Sequence, residues 1–422
     1  MRSWIRDTTG GLPAAFWYLW AGTLINRLGS FVLIFLAIYL TKGRGFSDAQ
    51  AGLVLGLAGA GGAVGTLSGG VFADRWGRRP TLVTAQVGAA TAMLCLGFAR
   101  PFWPIAACTL VLGVFTEAIR PAFSAMMIDI VPERDRLRAF SLNYWAINLG
   151  FASAAILAGF AARVDYLLLF LVDAGTTLAT AAITFRKVRE SRPAVPARRA
   201  GTALRRGGLV IALRDRVYLV FVAINLLMAL AFLQHISMLP IAMGDDGLPP
   251  STFGLVISLN GILIVLGQLF VPRLIRGRSK PRILALSMVI MGVGFGLVAF
   301  AHRAWLYAVT VLVWTVGEMI QSPSTSTTIA ELSPAELRGR YQGVQSLSWS
   351  VAAFVAPVLG GLVRQHLGNT TLWVGVAGVA FLGALGHLVS GPARERRTAA
   401  LREAAVHVPA ARPAAAPAVP AS

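Results

Sequence analysis

Twelve predominantly apolar runs, spread between residues 14 and 390 of a 422-residue chain, dictate its fold. About 18 or more apolar residues with few charges suffice for one helix to cross the hydrocarbon of a bilayer. No water is available there, so each segment must satisfy its backbone N–H and C=O groups internally. Helices do so, whereas a barrel needs short alternating strands that this chain lacks. Only 13% of the residues are charged, against about a quarter in soluble domains. The first run is too long for the apolar core of a leader peptide and has no small-residue cleavage site, so it reads as the first span. Phe16, Trp17, Tyr18 and Trp20, Phe102 and Trp103, and Trp305 and Tyr307 gather near run ends, where amphipathic rings suit the headgroup region.

The net charge of +20 suggests nucleic acid until its distribution is read. Arg27 and Arg120 lie inside runs. Six of the 38 basic residues fall in one set of loops: Lys42, Arg44, Arg100, Arg163, Arg303 and Arg364. All the others fall in the alternate loops and the termini. That asymmetry orients membrane proteins, and it places both termini in the cytoplasm. No nucleic-acid partner is expected. Cys95 and Cys108 both sit in apolar runs without metal-ligand spacing, so no metal site is expected.

The chain repeats itself at an offset of 202 residues. Gly52-Leu53-Val54 returns as Gly254-Leu255-Val256, Pro121 and Pro132 as Pro323 and Pro334, and Asp129 as Glu331. Arg136, Arg138 and Gly159 return as Arg338, Arg340 and Gly361. A constant offset predicts two six-helix bundles, residues 1–186 and 215–390, related by a pseudo-two-fold axis along the membrane normal with a path between them. Residues 187–214 form a basic cytoplasmic linker, with room for a short surface helix. Residues 391–422 end in an Ala/Pro-rich stretch and read as a disordered cytoplasmic tail. The fold class is therefore an all-α polytopic membrane protein.

Between the second and third runs stands Gly69-Gly70-Val71-Phe72-Ala73-Asp74-Arg75-Trp76-Gly77-Arg78-Arg79. This short cationic turn closely resembles the helix 2–3 loop of major facilitator superfamily transporters, G-x-x-x-D-R-x-G-R-R/K. Gly70, Asp74, Arg75, Gly77, Arg78 and Arg79 match. The resemblance implies that Asp74 caps the start of helix 11 and that the Arg residues pair with a carboxylate at the end of helix 4, here Asp129. Together these residues would form a cytoplasmic gate. The second half carries Arg276 where Asp74 would be, so the lock is asymmetric.

The resemblance also implies that helices 1, 4, 7 and 10 line the cavity, and those runs carry the intramembrane polar groups. Thr23, Asn26, Arg27 and Ser30 make one stripe at i, i+3, i+4, i+7. Glu117 and Arg120 are i, i+3 neighbours. Asn225, Gln234 and His235 lie in run seven, and Glu318, Gln321 and Thr325 in run ten. Charge inside the hydrocarbon is costly and marks candidate sites. Glu117, Glu318 and Asp173 are the proton-coupling candidates. Asn26, Arg27, Arg120, Asn225, Gln234, His235, Gln321 and Thr325 are the expected substrate cavity. Glu117 and Arg120 also read as a neutralised pair that only holds helices together. Pro121 and Pro323 predict kinks beside these groups.

The layout looks most like bacterial multidrug-type exporters, with departures. The helix 5 pattern G-P-x-x-G-G of proton antiporters lacks its proline in Ala154–Gly159, whereas Ala356-Pro357-Val358-Leu359-Gly360-Gly361 of run eleven comes close. The expectation is a monomeric secondary transporter of the inner membrane. It would exchange protons for a small molecule by alternating access, without a cofactor. Proton-coupled uptake of a polar nutrient is the alternative, and a non-transporting sensor the remote one. No nucleophile motif, zinc-protease motif or phosphate loop is present, so an enzyme is not expected. Single cysteines replacing Arg100, Asp165 and Asp245 should label with an impermeant maleimide on intact cells. Those replacing Arg136, Arg198 and Arg340 should label only after permeabilisation, and the reverse pattern would overturn the orientation.

Overall fold

The computed structural model describes residues 11–191, 210–268, 270–334 and 337–406. Twelve helices long and apolar enough to span a membrane follow one another: α1 (Ala14–Gly43), α2 (Asp48–Arg75), α3 (Arg78–Phe98), α4 (Phe102–Ile130), α5 (Glu133–Val164), α6 (Leu167–Lys187), α7 (Arg216–Asp245), α8 (Pro250–Gly267), α9 (Lys280–Phe300), α10 (Ala304–Leu332), α11 (Arg338–Leu367) and α12 (Asn369–Val389). A further helix, α13 (Gly391–Val406), follows. The ends that carry the Arg-rich loops form the basic face, and the other ends form the opposite face.

Two spans are broken. α1 stops at Leu28 and restarts at Val32. α7 stops at Phe232 and restarts as Gln234–Ser237 and Leu239–Asp245. Phe31 and Leu233, at the two breaks, are related by the 202-residue offset. Each restart leaves N–H groups without intrahelical partners, and in α1 the Asp173 carboxylate of α6 accepts the Val32 N–H at 3.1 Å. Pro121 and Pro323, where kinks were expected, lie inside α4 and α10, which remain helical through both.

Within the first half α2 packs on α4, α3 on α4 and α6, and α1 on α5 and α6. In the second half α9 packs on α10 and α12, α8 on α10, and α7 on α11 and α12. The halves meet chiefly where α2 packs on α11 and α5 on α8. Both contacts run through residues too small to hold the backbones apart. A Cβ on Gly52 would strike the Pro357 carbonyl and crowd Gly361, and one on Gly254 would strike the Ala155 carbonyl and crowd Gly159. The 202-residue offset carries Ala155 and Gly159 onto Pro357 and Gly361, so one contact is built twice. Lipid supplies no hydrophobic drive for helices to associate, so dispersion between closely approached backbones must do it.

The terminal helix corrects the expectation for residues 391–422. Residues 391–406 are helical, and their Ala, Arg, Glu and Leu content favours that state. Pro392 sits in the first turn, where its missing N–H costs nothing. The Ala/Pro-rich remainder, and most of the expected linker, lie outside the described residues.

Replacing Gly52 or Gly254 with Val should force the halves apart at the opposite face. In a background lacking Cys95 and Cys108, Ala49→Cys and Gln365→Cys should crosslink with a short bifunctional maleimide. Adding Gly52→Val should slow that reaction at least tenfold. An unchanged rate would show that the glycine contact does not set the closure.

Candidate functional site

The Glu117 carboxylate of α4 lies 3.5 Å from the Arg120 guanidinium, one helical turn on. The Arg120 side chain is 73% exposed and that of Glu117 34%, although both belong to a membrane span. A guanidinium facing lipid at that depth would be costly, so an exposed Arg120 calls for contact with water. Arg27 of α1 stands within electrostatic reach of Glu117, Arg120 and Asp173. It is pressed against α5 at Gly150, where a Cβ would strike the Arg27 side chain. One carboxylate therefore faces two guanidiniums.

Glu318 occupies a different environment. Its Oε2 accepts the Asn260 Nδ2–H of α8 at 2.6 Å, and Asn260 also donates to Thr315 Oγ1 at 3.1 Å. Tyr144 of α5 is within electrostatic reach. This carboxylate thus sits beside the α5–α8 contact. Asp173 is buried, and its bond to Val32 caps the restart of α1. That geometry gives it a part in holding α1 in two pieces.

The expected cavity residues divide. Asn26 turns toward α6 and donates to Thr177 Oγ1 at 2.9 Å. Thr325 is part-exposed and reaches Asn225 Oδ1 at 3.4 Å. Asn225, Gln234, His235 and Gln321 are all buried, contrary to expectation. Asn225 donates to the Phe221 carbonyl at 2.9 Å. Gln234 donates across to the Ala356 carbonyl of α11 at 2.8 Å, and Gln321 accepts from Ser287 Oγ. The His235 ring packs against Phe232 and Trp314, with Nδ1 2.6 Å from the Phe232 carbonyl. Only the His235 contact lies at the α7 break; the other three bond α7 itself, α11 and α9.

The basic-face cluster is compact. Arg78 Nε lies 3.1 Å from Asp129 Oδ2 and Arg78 Nη1 3.4 Å from Asp74 Oδ1. Gly77 adopts φ +117°, a backbone that L side chains rarely adopt. Gly70 lies against Pro121. Arg79 stands over the Phe185 ring, 4.7 Å from its centroid. Asp74, expected to cap α11, is 66% exposed and pairs within its own loop. Sequence reasoning missed Glu190. Its two carboxylate oxygens accept the Arg78 and Arg79 N–H groups at 2.9 and 3.1 Å, so it closes the N-terminus of α3 from beyond α6. A lone acid among linker arginines gave no signal of that role.

The opposite face is shut by charge. Arg364 of α11, 7% exposed, bridges Asp48 of α2 and Asp245 of α7, the latter at 2.5 Å. Lys42 at the end of α1 binds Asp245 at 2.6 Å, and Gln365 accepts the Ala49 N–H at 3.0 Å. These contacts join the ends of α1, α2, α7 and α11. In the sequence the same residues look like ordinary loop charges, because no local spacing links positions 48, 245 and 364.

The model of the Major Facilitator Superfamily matches residues 19–357 and 236–419. The chain belongs to the Major Facilitator Superfamily. It is a multi-pass membrane transporter and not an enzyme. It is similar to an uncharacterised MFS-type transporter, YqjV, of Bacillus subtilis, at 24% identity over 83% of this chain and 87% of the relative. A Na(+), Li(+), K(+)/H(+) antiporter of Planococcus maritimus is 26% identical over 78% of this chain and 84% of its own. Multidrug resistance protein MdtH of Escherichia coli is 23% identical over 90% and 96%. Among solved structures, a POT family transporter in complex with a thioalcohol-conjugated peptide superposes with a TM-score of 0.78 at 15% identity, over 92% of this chain and 98% of that one. These superfamily folds agree with the twelve-helix architecture expected from the sequence.

Arg364→Met should release the opposite face. Each 1.4 kcal/mol lost by the closed state changes a two-state ratio tenfold, and with Asp245 half exposed the loss falls between about 1 kcal/mol for a surface pair and about 3 kcal/mol for a buried one. Spin labels at the opposite-face ends of α2 and α11 should report a new, longer distance in this variant. A distance distribution identical to that of the wild type would reduce the bridge to a passive contact.

Proposed function

We propose that this protein exports a small molecule across the bacterial inner membrane in exchange for protons, by alternating access between two six-helix halves. The observation that carries the reading is the Glu117–Arg120–Arg27 cluster within a membrane span, in which the Arg120 side chain is 73% exposed and Arg27 is part-buried beside it. The basic face is read as cytoplasmic from the charge asymmetry of the loops. On that reading both termini are cytoplasmic and the structure is an inward-open state, with Arg364 and its partners holding the periplasmic side closed.

A carboxylate that faces solvent from one side at a time can couple two ligands. A proton and a substrate that compete for Glu117 cannot occupy it together, so each leaves as the other binds. Exchange then follows if the empty, deprotonated protein changes state slowly. Arg120 and Arg27 remain as counter-charges when Glu117 is ionised and as partners for substrate when it is not. Glu318 is the second coupling candidate, beside the α5–α8 contact that must loosen during the change. Asp74, Arg75, Arg78 and Asp129 act as the cytoplasmic lock in the alternate, outward-open state. Asp74 is already exposed and available for α11 in the present one. The antiport and multidrug names of two relatives favour exchange and export over uptake.

The test uses proteoliposomes containing a pH-sensitive dye and an imposed pH gradient. A panel of Na+, K+, organic cations, zwitterions and anions is added in turn. Addition of a substrate should discharge the gradient in the wild type. Glu117→Gln should cut that discharge at least tenfold while substrate binding by calorimetry persists, and Glu318→Gln should act similarly if it shares the proton. Full discharge by both variants would remove protons from these residues. Discharge that appears only when substrate and proton move the same way would favour uptake.

A further inference from the structure

The break in α1 is held by one face of α6. Asp173, Thr176, Thr177 and Thr180 stand at i, i+3, i+4 and i+7, which makes them one row along that helix. Each meets α1. The Asp173 carboxylate accepts the Val32 N–H at 3.1 Å, and Thr177 Oγ1 accepts from Asn26 Nδ2 at 2.9 Å. Thr180 Oγ1 donates to the Gly22 carbonyl at 3.0 Å. Gly29, at the break, leaves no room for a Cβ beside Thr176. In the second half the buried face of α12 runs instead through Val376, Ala377, Ala380, Gly383 and Ala384.

Asp173 is 3% exposed. An ionisable group at such a place is costly to keep, and its bond to Val32 gives it a task. The restart of α1 leaves the Val32 N–H outside the helical ladder. Without an acceptor on α6, that N–H would be satisfied by the Leu28 carbonyl if the break closed into a continuous helix. An unpaired donor in hydrocarbon is costly enough to drive such a closure. Closure would turn the two pieces of α1 relative to each other. Arg27 lies in the last turn of the first piece. It packs against Gly150 of α5 and stands within electrostatic reach of Glu117, Arg120 and Asp173. Its distance to Glu117 therefore depends on the break staying open, whereas Arg120 keeps its place on the helix of Glu117.

We infer that Asp173 is a positioning residue for the charged cluster: by capping the restart of α1 it keeps Arg27 within reach of Glu117. Capping needs only an oxygen that accepts the Val32 N–H. An Asn side chain offers one without charge, and Ala offers none. Cap and charge can thus be separated at this position. Direct attraction between Asp173 and Arg27 would need the charge, and Asn would then fail as Ala does. The bearing of this cap on transport rests on the coupling role proposed above for Glu117, but the placement of Arg27 does not.

Infrared spectroscopy of the purified full chain in lipid nanodiscs tests the placement. The carboxylate stretch of Glu117 is identified as the band lost in Glu117→Gln, and its frequency reports the cations around it. Arg27→Gln should move this band. Asp173→Ala should move it in the same direction, and no further in the Arg27→Gln background, because two changes acting through one contact do not add. Asp173→Asn should leave it at the wild-type position. Should Asp173→Ala not fold, Gly29→Ala takes its place, since the added Cβ strikes Thr176 and pushes the break off α6. A wild-type band in whichever of the two folds would overturn the proposal, as would an Asp173→Asn band displaced as far as theirs. In proteoliposomes, discharge of the gradient by substrate should fall at least tenfold in Asp173→Ala and persist in Asp173→Asn. Absence of discharge in the wild type would count against the coupling role of Glu117 and leave the infrared band to decide the cap.

Discussion

The close approach of α2 to α11 and of α5 to α8 is the contact on which the other features depend. Hydrocarbon gives apolar helices no reason to prefer each other over lipid, so the halves are held by short-range dispersion and by charge. Gly52 and Gly254 permit backbone contact with Pro357 and Ala155, and Gly361 and Gly159 extend it on the same helices. Further along α2, Gly61, Gly65 and Gly69 face α4 instead. A single helix thus uses one glycine row to weld its own half and another to touch the partner half. The first contact is internal to a rigid group. The second has to be reversible, and dispersion between small residues is lost steeply with a small separation.

Charge reinforces that contact at the opposite face. Arg364 joins α2 and α7 through Asp48 and Asp245, and Lys42 adds α1. The same helix ends carry the dispersion contact, so the two interactions open and close together. At membrane depth the logic is different. Glu117 stays where water reaches it, and Glu318 is tied by Asn260 to the helix pair that must part. A carboxylate is useful for coupling only if its surroundings change with the state of the protein, and both locations meet that condition.

Much of this was legible because a bilayer enforces long-range order on sequence. Run length, loop charge and the 202-residue repeat each report a global constraint; run length anticipated the twelve helices, and the resemblance of the helix 2–3 loop pointed to the superfamily. The breaks in α1 and α7 were not legible. Prolines at 121 and 323 looked like the weak points, but neighbouring helices and internal hydrogen bonds tolerate them, and the chain breaks at Gly29–Phe31 and Leu233 instead. Asn225, Gln234, His235 and Gln321 looked like cavity groups because polarity on a membrane helix signals function or a need for partners, and sequence cannot distinguish the two. The structure shows the second use: Gln234 bonds the Ala356 carbonyl and Gln321 accepts from Ser287. Arg364 and Glu190 were missed for a related reason. Their partners lie more than a hundred residues away, and an isolated charge near a run end carries no information about which distant acid or N–H group it will meet.

The repeat also explains why the two halves need not do the same work. Duplication preserved what each half needs for itself: the interface glycine, the pair Arg78–Asp129 and its counterpart Lys280–Glu331. It did not preserve the anionic groups at the basic-face loops. The second half has Arg276 where the first has Asp74, and Pro392 where it has Glu190. The first half therefore carries its own neutralising carboxylates, one exposed and available to α11, the other spent on the start of α3. The second half carries the cations without those two acids. Two like-charged loops facing each other would repel, so a pseudo-symmetric fold with identical loops would resist closing on this face. Asp74 lowers the positive charge of the first-half loop without abolishing it, since Arg75, Arg78 and Arg79 stand beside it. The asymmetry of two residues thus leaves the two basic-face loops with unequal charge, which the repeat alone would have made equal.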